Sequence, residues 1–425
     1  MVESRQGRRV SAFVLALGFA LFTAFPAWAE ESVTIYLWEA WLGEAHYATG
    51  LFFDAVKAVF EEENPGVKVH YQHVPFGPDT LILAVSAGIP PDASIVSVAY
   101  AVDLYELGVL APLNEYWERS PIGSYTFLPS ARTFNRAGEI IYGVPWSMEA
   151  TTIIYNVDMF EELGLDPDPD AMATWDDFIA YGRSLHRVTG DGQVTVAGFD
   201  GGLSLPTFVA WLYSNNGAFY ADDYKSVAFN TPQGRETLKF LAELYTIHQL
   251  GGLSGVGNFH AGRIGMQLSQ IPATAAVTDA PFRAAQTDFP RGPSGRKRST
   301  VGWSNMFALI QGAARPDLGW KWIETMIRID LQKVRAQLRA SFPNAPYLEV
   351  YQAHSEAEVQ EMLRNAPYNV NTLRILQDAG VYPFYRYQAL NPVLGPLLTQ
   401  VRLGQQAPES ALEEMVRLAN VILQE

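Results

Sequence analysis

Apolar and polar positions alternate in blocks along this chain, and the blocks change period. Val33 to Trp38, Val67 to His73 and Ala93 to Val98 are short β-branched or apolar runs that predict strands. Between the first two, Tyr47 to Glu63 carries apolar residues at helical spacing and stops at Asn64-Pro65-Gly66, which predicts a helix with a sharp end. Further helices are predicted over 175–187, 205–215, 232–248, 316–329, 355–365, 388–402 and 409–423. Thr174 and Thr231 are N-cap candidates, the latter followed by Pro232 at the first helical position. Strands alternating with helices point to an α/β fold with helix-flanked sheets. Ile140 to Val144 and Thr151 to Tyr155 also read as strands, and between them stand Pro145, Trp146 and an acid with no partner nearby in sequence, Glu149. Proline cannot donate to a ladder, so this interruption suits a crossing between two lobes.

The amino terminus has its own pattern. Arg5, Arg8 and Arg9 precede an apolar stretch from Val10 to Phe25, and Ala27-Trp28-Ala29 offers a small-x-small cleavage site, so residues 1–29 are expected to be a signal peptide. The apolar run is short for a membrane span of about 20 residues. Removing 29 of 425 residues leaves 396, more than a single core sustains, and two lobes are expected. With no cysteine there is neither a disulfide framework nor a cysteine for lipid attachment. A periplasmic protein without a lipid anchor is the expected outcome. Loss of Arg5, Arg8 and Arg9 together with Glu3 takes the net charge from −15 to −17, which weighs against nucleic acid as a partner.

Aromatic residues beside polar ones carry the candidate chemistry. A sugar ring presents an apolar C–H face and a fringe of hydroxyls, so its site needs flat apolar side chains and hydrogen-bonding groups together. Trp38-Glu39-Ala40-Trp41 offers both at the carboxyl end of the first strand, where open α/β sheets place ligands. Trp146 with Glu149, and Trp303-Ser304-Asn305, repeat the combination, against the simpler reading of each tryptophan as core. The seven histidines show no HExxH spacing, and Gly198-Phe199-Asp200-Gly201-Gly202 lacks the GxGxxG order, so neither a metal nor a dinucleotide cofactor is expected. Arg291-Gly292-Pro293-Ser294-Gly295-Arg296-Lys297-Arg298 fits no phosphate-loop spacing and reads as a solvated loop. Glu39 with Glu149 would suit a glycoside hydrolase if they flanked one bond, which keeps a secreted carbohydrate-active enzyme as an alternative.

The run from Tyr142 to Leu165, continuing through Thr174-Trp175-Asp176-Asp177-Phe178, resembles the maltose-binding-like, extracellular solute-binding proteins of ABC importers. Ala87-Gly88-Ile89-Pro90-Pro91-Asp92 is similar to that family's Gly-x-Pro-Pro-Asp turn. Phe259 to Met266 is similar to its phenylalanine and Gly-Lys-x-x-Met segment, and Gly404 to Leu412 to its C-terminal helix-loop-helix. The resemblance implies a two-lobed periplasmic-binding-protein fold with the ligand in a cleft and three chain crossings, near Glu149, near Asp288-Phe289-Pro290 and near Ala314. The lobes would then comprise 30–148, 149–288, 289–314 back in the first, and 315–425 back in the second. It implies a non-catalytic, monomeric binder that delivers a sugar or short oligosaccharide to an inner-membrane ABC permease. Glu149 takes the place of a sugar-contacting glutamate. Ser97, Tyr100 and Asp103 are the suitable side chains after the Pro-Pro-Asp strand, and Tyr385, Arg386 and Asn391 fall in a loop that reaches the cleft. Gln270-Ile271-Pro272-Ala273 departs from the family pattern and removes one expected stacking platform. A glycerol phosphodiester or other sugar-like anion is the alternative ligand, since Arg263 and Arg386 can counter a phosphate.

Overall fold

The computed structural model describes residues 31–39, 47–121, 136–137, 140–221, 224–250, 257–271, 280–341, 348–349, 375, 379–381 and 385–424. The expected signal peptide and cleavage site, Trp41 and the helix expected over 355–365 lie outside the described residues. In chain order the elements that position the site are β1 (Glu31–Trp38), α1 (Tyr47–Glu63), β2 (Val67–Val74), α2 (Asp79–Ser86), β3 (Ala93–Val96), α3 (Val98–Glu106), β4 (Val144–Pro145), β5 (Ser147–Asn156), α4 (Trp175–Leu185), β6 (Val194–Asp200), α5 (Leu205–Ser214), α6 (Pro232–Thr246), β7 (Ile264–Ile271), β8 (Val301–Trp303), β9 (Met306–Leu309), α7 (Pro316–Met326), α8 (Ile329–Ser341), α9 (Tyr387–Arg402) and α10 (Pro408–Gln424).

Local chemistry accounts for many of these boundaries. Thr174 caps α4 in a reciprocal box, its hydroxyl accepting from the Asp177 amide while the Asp177 carboxylate accepts from the Thr174 amide. Thr231 and Ser204 cap α6 and α5 with their hydroxyls alone, accepting from the Gly234 and Thr207 amides, each ahead of a proline in the first turn. Pro145 lies in an edge strand, where a missing donor costs no ladder bond.

Two mixed sheets result. The first runs β2-β1-β3-β9-β4, with β1 parallel to both β2 and β3 and β9 antiparallel to β3 and β4. The second runs from residues 380–381 through β8, β5, β7 and β6 to 187–188, with β5 antiparallel to β7 and β8. Asp92, the acid of the Pro-Pro-Asp turn, is buried and structural. Its two carboxylate oxygens accept backbone amides of Thr34 in β1 and Arg315 just before α7, each at 2.8 Å.

Each sheet is centred on its own hydrophobic core, giving the two-lobed α/β architecture. The first core gathers Val33, Phe52, Phe53, Trp146, Phe307 and Trp322; the second gathers Ile153, Phe178, Trp211, Phe289, Leu390 and Met415. The chain leaves the first core at Ala150 and joins the second at Ile153, and on its return Val301 belongs to the second core and Met306 to the first.

The expected lobe boundaries therefore need correcting at two places. Phe289 and Val301, expected in the first lobe, pack in the second, where the Phe289 ring meets Trp211 at 4.8 Å. Helix α7, expected in the second lobe, packs on the first: Trp322 stacks on Phe53 at 6.2 Å. Gly319 lies so close to β3 that an added Cβ would meet the Asp92 carbonyl oxygen at 2.8 Å. The basic loop at 291–298 is also not fully solvated, because Arg298 forms a buried ion pair with Asp288 at 2.6 Å.

Candidate functional site

The crossing between the lobes holds a compact polar cluster. In the antiparallel pairing of β5 with β8, Trp303 stands opposite Glu149. The Trp303 indole N–H donates to one Glu149 oxygen at 3.1 Å, and the Asn305 amide donates to the other at 2.8 Å. Trp303 is half-buried and packs against both cores, while Asn305 is buried. Burial pushes the Glu149 carboxyl up to about 7, against the opposing pull of its two donors. The sequence-predicted residues Glu149, Trp303 and Asn305 thus form one constellation on the strands that link the lobes.

The first lobe supplies a wall at the carboxyl ends of its parallel strands. Trp38 closes β1 and is buried, with its ring edge-on to Phe76 at 4.7 Å. Phe76 follows β2 and in turn meets Tyr100 of α3 at 5.9 Å. Phe76 is 58% exposed, far more than a core phenylalanine would be. Glu39 is exposed just beyond Trp38. Further along α3, Asp103 is half-buried and burial raises its carboxyl, although Arg386 pulls it down.

The second lobe supplies a facing wall of tyrosines. Tyr220 donates its hydroxyl to the Tyr385 carbonyl, and Tyr224 lies 5.8 Å from the Tyr385 ring and 5.4 Å from Tyr220. Tyr224 and Arg386 both adopt left-handed backbone conformations, φ 57° and 52°, which non-glycine residues enter only when their surroundings hold them there. Arg386 reaches the first lobe, its guanidinium 3.3 Å from the Glu106 carboxylate at the end of α3.

Two expected ligand residues are placed elsewhere. Trp146 is 1% exposed and belongs to the first core, sandwiched among Phe53 at 5.5 Å, Phe307 at 5.6 Å and the Arg335 guanidinium at 4.3 Å. Ser97 spends its hydroxyl on the N-cap of α3, accepting from the Ala99 amide at 3.3 Å. Conversely, Phe76, Glu106, Tyr220 and Tyr224 were not singled out. Phe76 alone left a sequence signal, a large apolar residue inside the turn Pro75-Phe76-Gly77-Pro78. A separate groove of about 740 Å³ between α4 and α6, bordered by Arg183, Lys239 and Arg291, shares no residue with these walls.

A family model for the bacterial extracellular solute-binding proteins matches residues 44–333. The chain is 25% identical over 393 residues to a Brucella abortus protein named only as a binding protein, covering 88% of this chain and 90% of that one. It is 29% identical over 217 residues to an arabinooligosaccharide-binding protein of Halalkalibacterium halodurans, covering 50% and 46%. It is 27% identical over 266 residues to an sn-glycerol-3-phosphate-binding periplasmic protein of Escherichia coli, covering 59% and 56%. Among solved structures, the cyclic α-maltosyl-1,6-maltose binding protein of Arthrobacter globiformis superposes with a TM-score of 0.78 at 19% identity, covering 92% of this chain and 99% of that one.

Proposed function

Because the chain belongs to the bacterial extracellular solute-binding proteins, we propose that it captures a sugar or short oligosaccharide between its lobes and hands it, chemically unchanged, to an inner-membrane ABC permease. The observation that carries this reading is the Glu149, Trp303 and Asn305 constellation on the crossing strands, together with an aromatic cluster in each lobe that the Arg386–Glu106 ion pair joins. Aromatic faces suit the C–H face of a pyranose or furanose, and carboxylate and amide groups suit its hydroxyls. The names of the Halalkalibacterium and Arthrobacter relatives point to the same ligand class. Location in the periplasm, a single-chain state and closure of the lobes about the ligand belong to this proposal.

A thermal-shift screen over arabino-oligosaccharides, linear and cyclic malto-oligosaccharides and tagatose tests it, since a ligand at 100 times its Kd adds about 2.7 kcal/mol to stability. Chromatography of the bound sugar after long incubation should return it intact; released shorter sugars would turn the reading toward a carbohydrate-active enzyme. With the best sugar in hand, Trp303→Ala is expected to weaken binding by about 1–3 kcal/mol, through the lost ring face and the loosened Glu149. Calorimetry showing an unchanged Kd for that variant would remove Trp303 from the site.

A further inference from the structure

The two walls and the crossing carry a lopsided set of charges. Among the described residues placed there, Glu39, Asp103, Glu106 and Glu149 are acids and Arg386 is the cation. That cation is already engaged, its guanidinium 3.3 Å from Glu106 and drawn as well by the Asp103 carboxylate. To turn toward a ligand the guanidinium would have to give up Glu106. Asp103 is half-buried, and no described donor hydrogen-bonds its carboxylate. Its field reaches the buried phenols of Tyr142 in the first lobe and Tyr220 in the second, which places it where the lobes face each other. An anion entering this space would meet a half-buried carboxylate and an arginine whose charge is already matched, and like charges brought together there are disfavoured.

We propose that the cleft selects an uncharged ligand and rejects phosphate-bearing ones, with Asp103 and Glu106 as the specificity-determining residues that neutralise Arg386. The inference rests on the solute-binding reading above and separates its two ligand classes. Arg386, which sequence reasoning offered as a phosphate partner, serves here as a tie between lobes. A carboxylate such as Asp103 suits a ligand hydroxyl that donates to it.

The test is calorimetry on the mature chain with arabino-oligosaccharides and malto-oligosaccharides as neutral probes and sn-glycerol-3-phosphate and inorganic phosphate as anionic ones. The wild type should bind a neutral saccharide and bind sn-glycerol-3-phosphate at least 100-fold more weakly. Glu106→Gln, and the Asp103→Asn/Glu106→Gln pair, should raise the affinity for sn-glycerol-3-phosphate at least tenfold by freeing Arg386. Circular dichroism confirms that both variants fold, and the wild-type comparison decides the selectivity by itself should either fail. Wild-type binding of sn-glycerol-3-phosphate as tight as any saccharide would overturn the charge selection while leaving a solute-binding protein. Selective wild type with variants still blind to the anion would overturn the roles of Asp103 and Glu106. Failure of every probe in both classes would overturn the sugar reading itself, and this inference with it.

Discussion

Trp146→Ala is expected to lower the unfolding free energy by about 3–5 kcal/mol, the range for removing a large aromatic side chain from a packed core. The ring is almost wholly enclosed by Phe53, Phe307 and Arg335. Its loss would open a cavity that the two phenylalanine rings, themselves packed on Trp322, can only partly fill. The effect has a second part. Arg335 is buried, and it holds the Trp146 carbonyl through a 2.7 Å bond while its guanidinium lies over the indole face. Removing the ring leaves that cation with one attractive surface fewer in a place of low dielectric. Urea unfolding should therefore show a clearly lower midpoint with little change in slope. A variant as stable as the wild type but unable to bind sugar would restore Trp146 to the ligand site.

Glu149→Gln should make stability less sensitive to pH. In the folded chain the Glu149 carboxyl is held up at about 7, against an ordinary value of 4.5. The folded state therefore keeps a proton that the unfolded state has released at intermediate pH. On the sign of the linkage, the protein is favoured fully below about 4.5, loses that advantage as pH rises toward 7, and stays at the lower level above it. The full swing is on the order of 3 kcal/mol. Glutamine carries no buried charge, and Asn305 can turn its amide so that its oxygen accepts from the new side chain. The variant is expected to melt higher than the wild type at pH 8 and to approach it near pH 5. Parallel melting curves for the two proteins across this range would show that burial of Glu149 carries no such cost.

What could be read in the sequence was mostly local. The helix at Tyr47–Glu63 has the bounds its spacing and its Asn-Pro-Gly stop demand, and Thr174 caps α4 because the box needs only residues three apart. The pairing of Trp303 and Asn305 with Glu149 was half-legible: each was marked by an aromatic beside a polar group, but nothing local said that β5 and β8 would lie side by side. Trp146 was misplaced because neighbouring positions at a strand entrance face opposite sides, and which side meets the core depends on distant Phe53 and Phe307. Helix α7 could not be assigned to a lobe from its amphipathic pattern, since an apolar face specifies burial without naming the partner. Tyr220, Tyr224 and Glu106 gain meaning only where the loop before α9 is folded back on them, a contact between segments far apart in the chain.

The strand β5 passes from one core to the other as ten residues of ladder, paired with residues 348–349 at its start, with β8 at Glu149 and Ala150, with β7 over Ala150–Tyr155 and with residues 284–287 at its end. The joint between the halves of the molecule is thus woven fabric and not a loose thread. Any rotation of one half on the other has to be taken up as elastic bending and twist of hydrogen-bonded backbone, which resists shear and returns to its resting shape. Such a joint limits the swing to a few well-defined directions and keeps its amides guarded from exchange with water while it moves.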